Sequence, residues 1–97
     1  MTYTKQMLLT MLDNVDYAIN AIKTMRDTAP ERCPSDKIVE IVAMYNSEIA
    51  ALEKDRELVK RVISEVYGES ETAQNQITLT AEEANRLYVI QHPYAES

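Results

Sequence analysis

The chain has 97 residues, the size of one domain, with 45% hydrophobic and 27% charged residues and a net charge of −6. That balance argues against a phosphate-binding surface for nucleic acid, which needs clustered Lys and Arg, and leaves room for a basic protein partner. A single Gly excludes an all-β chain rich in positive-φ turns, and with it the P-loop, the dinucleotide-binding glycine pattern and the nucleophile elbow. The lone Cys33 excludes an internal disulfide and a cysteine-rich metal site.

The first periodic segment predicts a helix over about residues 5–28. Leu8, Leu12, Val15, Ile19 and Ile22 hold the four-three spacing of a heptad seam, which Met11, Ala18 and Met25 widen. Thr4 is the expected N-cap. Pro30 is expected to stop the helix, because the residue before a proline is pushed out of the α region. The N-terminal apolar residues Leu8, Leu9, Met11 and Leu12 are broken by Thr10 and followed by Asp13. No secretion signal or membrane span is expected, and the cytoplasm is the expected location.

The second helix is expected over about residues 36–67, capped by Ser35 or Asp36 and closed by Gly68 at C′. Ile38, Val42, Tyr45, Ile49, Leu52, Arg56, Val59, Ile63 and Val66 keep the seam spacing, with Arg56 as its only polar member. The short proline-bearing loop folds the two helices into an antiparallel hairpin. Counting outward from it sets Ile22 beside Val42, Val15 beside Ile49, and Leu8 beside Arg56. On this count helix one ends there, and Val59, Val62, Ile63 and Val66 run on uncovered. Each would forfeit roughly 1.5–3 kcal/mol if left in water. Their cover is expected from the C-terminal segment, a second copy of the chain or a target, and these four, with Leu87 and Ile90, are the expected oligomer or partner interface.

Residues 69–76 read as a polar linker. Thr80 with Glu83 fits a capping box and Leu79 with Ala84 the accompanying hydrophobic staple, which predicts a short third helix over about 81–91. The competing reading pairs Ile77–Thr80 with Leu87–Gln91 as a β-hairpin, given the strand propensity of Leu-Tyr-Val-Ile. The tail, residues 93–97, is expected to be mobile.

The expected fold is thus all-α, one helical domain: a long antiparallel hairpin with a short C-terminal helix, assembled as a homo-oligomeric bundle. No catalytic group and no cofactor is expected. His92, beside Pro93 near the chain end, is poorly placed to hold catalytic geometry, and Cys33 reads as an incidental thiol. Glu53 and Glu57 lie one turn apart without an accompanying His, so no metal site is expected. Tyr17, Asn20, Lys23 and Thr24 form a strip on helix one where a nucleotide-like ligand could stack and hydrogen-bond. Arg56 could bind an anion in a pocket, pair with an acid, or fix oligomer register.

In size, acidity and hairpin outline, and in no motif, the chain is similar to small helical proteins of bacteriophages and mobile elements. Many of these sequester a host protein or signalling molecule. The likeness implies a non-catalytic, self-associating hairpin that sequesters or inhibits a partner protein. The alternative is a protein that sequesters a nucleotide-like small molecule at subunit interfaces.

Overall fold

A computed structural model describes residues 3–92, and the tail 93–97 lies outside the described residues. Three α-helices follow one another: α1 over Lys5–Arg32, α2 over Ile38–Val62, and α3 over Ala81–Gln91. A π-helical turn, Ile63–Tyr67, continues α2. No strand occurs among the described residues, so the hairpin reading of 77–91 gives way to the helix. No helix of the described residues is long and apolar enough to cross a membrane. The molecule measures 52 × 25 × 22 Å along its principal axes.

The helix ends follow local chemistry. Thr4 Oγ1 accepts the Met7 amide at 3.1 Å and starts α1. At α3 the capping box is complete: Thr80 Oγ1 accepts the Glu83 amide at 3.1 Å, and Glu83 Oε1 accepts the Thr80 amide at 3.0 Å. Neither Ser35 nor Asp36 caps α2. Both lie in a turn closed by the Lys37 amide on the Pro34 carbonyl at 2.9 Å, and α2 begins at Ile38 without a side-chain cap.

Pro30 does not stop α1, which runs two residues beyond it. The proline removes only the donor that would meet the Arg26 carbonyl, and it falls in the last turn, where little helix remains to disrupt. Side chains cover neighbouring carbonyls. Arg32 Nη2 reaches back to the Met25 carbonyl at 2.7 Å, and Thr28 Oγ1 donates to the Thr24 carbonyl at 2.9 Å. Ala29 is fully buried, which rewards keeping it helical.

This extension shifts the hairpin register. Arg56 Nε meets Asp16 Oδ1 at 2.7 Å rather than lying beside Leu8, and Arg26 Nη1 meets Asn46 Oδ1 at 3.0 Å. The eight residues from Leu8 to Asp16 correspond to about 12 Å of helix. The start of α1 therefore reaches the end of α2. There Tyr67 donates its hydroxyl to the Tyr3 carbonyl at 2.6 Å, and Lys5 Nζ donates to the Ser70 carbonyl at 3.0 Å.

The expected overhang of helix two is consequently absent. Val59, Val62 and Val66 are buried within the single chain, Ile63 is half-buried, and Leu87 and Ile90 are buried beside them. The premise that placed an interface on these six residues no longer holds. Their cover is the first half of α1 together with α3, which touches both long helices.

The buried arc of α2 is also rotated. Ile49, Asp55, Val59, Val62, Val66 and Tyr67 face inward, so the seam passes through Asp55 and Val62 instead of Arg56 and Ile63. Two causes act together. The α3 helix covers the Asp55 side of α2, and the π turn adds a residue that swings Tyr67 inward. The Gly68 amide closes that turn on the Ile63 carbonyl at 3.0 Å, and Gly68 leaves it at φ +58°. The linker then folds back: the Gln74 and Asn75 amides both donate to the Val66 carbonyl, at 2.7 and 3.3 Å.

Candidate functional site

Two concave surfaces flank α2. The smaller lies between α1 and α2, encloses about 300 Å³, and is lined by Asp16, Ile19, Asn20, Lys23, Glu53 and Arg56. It brings together three of the residues singled out on sequence: Asn20, Lys23 and Arg56. The other two stay outside it. Tyr17 is 79% exposed, and the Thr24 hydroxyl is spent on the Asn20 carbonyl at 3.0 Å. Arg56 binds Asp16 tightly and lies 3.7 Å from Glu57, so its guanidinium already has carboxylates to neutralise it. Two carboxylates and two cations leave this cleft electrically balanced, and the Asp16–Arg56 bond ties α1 to α2 within the chain.

The larger surface is a groove of about 1010 Å³ between the outer face of α2 and α3. Its floor is Ala50, Ala51 and Leu58, and its charged lining includes Glu53, Lys54, Glu57 and Glu82. Two ion pairs build its wall. Asp55, 6% exposed, accepts a fork of two hydrogen bonds from Arg86, one of them from Nε to Oδ1 at 3.1 Å. Arg61 Nη2 meets Glu83 Oε2 at 2.7 Å. These pairs set the direction of α3: Glu83 lies by Arg61 and Arg86 by Asp55, so α3 runs antiparallel to α2.

The electrostatics follow from these contacts. The Thr80 amide first, then the Arg61 side chain, holds the Glu83 carboxyl below the usual carboxylate range. Hydrogen bonding to Asp55 pushes the Arg86 guanidinium above its already high ordinary value, against the opposing effect of burial. At the start of α1, burial and then the neighbouring Tyr88 push the Tyr3 phenol up.

Asp55 and Arg86 were not singled out from the sequence, although a signal existed. On α3, Glu83, Arg86, Leu87 and Ile90 share one helical face, so its apolar stripe is flanked by charges that need partners across the interface. No local pattern said which charge on α2 would meet them.

His92 ends α3 with its ring 4.7 Å from that of Tyr88, and Cys33 is half-buried in the hairpin loop. No group of three or more His, Cys, Asp or Glu side chains among the described residues could hold a metal ion. Comparison with protein-family models, with known proteins and with solved structures finds no match to this chain.

Proposed function

We propose that this chain is a non-catalytic interaction protein that associates with itself through the loop end of its hairpin and sequesters or inhibits a partner protein. The observation that carries the proposal is uneven cover. The α3 helix lies along the half of the hairpin away from the loop. In the arm from residue 20 to residue 48 Ala29 is the one buried residue among the described residues. Ile22, Ile38, Ile41, Val42 and Tyr45 are half-covered there, while Met25, Met44 and Val39 are 44%, 52% and 82% exposed. Met44 lies three turns from Asp55 on one face of α2, along the line that α3 occupies farther down.

Charge supports a second copy as the cover. The arm carries four cations and five carboxylates, a net −1, so −5 of the chain's −6 lies elsewhere. Two copies meeting arm to arm bury apolar surface where like-charge repulsion is weakest, as a bundle of four helices. Within this proposal the protein works in the cytoplasm. Light scattering across a wide concentration range tests it. The expected result is a dimer that Met25→Glu with Met44→Glu converts to a folded monomer. A wild-type chain that stays monomeric at every concentration refutes self-association.

A second reading rests on the convergence of Asn20, Lys23 and Arg56 on one cleft: a site for a polar, nucleotide-like molecule. At about 300 Å³ the cleft sits at the lower end of the range for small-molecule sites. Its two carboxylates oppose a multiply charged anion. A thermal shift with nucleosides or nucleotides, abolished by Arg56→Ala, supports this reading; no shift with any of them removes it.

A further inference from the structure

We propose that the groove between α2 and α3 seats a basic amphipathic helix of a partner protein. The proposal rests on the interaction-protein reading and names its partner class. Along α2 the groove extends from Ala50 to Arg61, twelve residues spanning about 16 Å, the length of three helical turns. Its floor suits a helix. Ala50 and Ala51 are small enough for another backbone to approach closely, and Leu58 is a half-buried aliphatic contact beside them. With no strand among the described residues there is no sheet edge to extend, so a helix laid between helices is the recognition mode this surface offers.

Charge selects the sign of the occupant. Arg61 and Arg86, two of the three cations in the lining, are already held by Glu83 and Asp55. Glu53 and Glu82 are exposed and make no ion pair among the described residues, and Glu57 has only the longer contacts of 3.7 Å to Arg56 and 4.0 Å to Lys60. Against these three carboxylates, of which Glu53 also lines the smaller cleft, stands one lining cation without an ion pair among the described residues, Lys54. The surplus is negative and frames an apolar floor, so it complements a helix with small or aliphatic residues on one stripe and Lys or Arg along its margins. It repels nucleic-acid phosphate and anionic lipid.

The test uses the full chain and two synthetic helical peptides, one of Leu, Ala and Lys in amphipathic order and its counterpart with Glu for Lys. The expected result is amide shift changes centred on Ala50, Ala51, Leu58 and Glu82 with the basic peptide alone. Glu53→Lys combined with Glu82→Lys is expected to weaken binding about tenfold or more, whereas Asp13→Lys with Glu69→Lys, an equal change in net charge outside both the groove and the arm, leaves it within about twofold. Equal weakening by both pairs, equal binding of the acidic peptide, or shifts that avoid the groove overturns the proposal. Light scattering of the same variants separates the two ideas, because self-association through the arm survives failure of the groove.

Discussion

Removing Arg86 strands a buried charge. Asp55 is buried on the inner side of α2, and Arg86 provides both of its side-chain hydrogen bonds. Loss of one partner from a fully buried ion pair costs about 3–5 kcal/mol, because the other charge stays desolvated. The Arg86 side chain is 43% exposed, so water can enter when it is truncated, and the expected cost of Arg86→Ala falls to about 2–3 kcal/mol. For a chain of this length that lowers the melting temperature by roughly 10–20 °C. Urea unfolding followed by far-ultraviolet circular dichroism measures it. The joint replacement Asp55→Leu with Arg86→Leu removes both charges and is expected to stay within about 1 kcal/mol of the wild type. A loss below about 0.5 kcal/mol for Arg86→Ala would refute the reasoning. The pair would then behave as an ordinary surface ion pair, and α3 would be held by Leu87 and Ile90 alone.

Two further outcomes follow from the same contacts. Gly68→Ala is expected to cost about 1–3 kcal/mol in urea unfolding, since an L residue is strained at that backbone geometry. The nearest atom to an added Cβ is the Ser64 carbonyl oxygen at a comfortable 3.8 Å, so crowding contributes nothing, and an unchanged midpoint would contradict the assignment. Glu83 has its carboxyl pKa depressed by folding, so its contribution is complete above the usual carboxylate range and disappears as pH falls through the folded value. Carbon-detected titration should find Glu83 still ionised below the usual carboxylate range, with exchange protection of α3 amides weakening as Glu83 titrates. Titration of Glu83 within the usual carboxylate range would remove this account.

Neighbours along the chain encode the short-range part of this fold. The α1 start at Thr4, the capping box of Thr80 and Glu83, the turn at Gly68 and the two long apolar periodicities are short-range patterns, and each corresponds to a helix or a helix end. The all-helical hairpin with a short third helix was legible for the same reason. Register was not. A heptad seam repeats every two turns, so sliding α1 by seven residues against α2, Val15 taking the place of Leu8 and Ile19 that of Leu12, sets apolar side chains on apolar side chains again. Only the assembled chain selects among such mates. It does so through α1 continuing past Pro30, the Tyr3–Tyr67 and Lys5–Ser70 bonds at the far end, and the docking of α3. That choice covered Val59, Val62 and Val66, turned Asp55 rather than Arg56 inward, and left the loop end of the hairpin as its exposed apolar part. It also formed the groove beside α3, whose walls come from residues some thirty positions apart and so leave no periodic trace in the sequence.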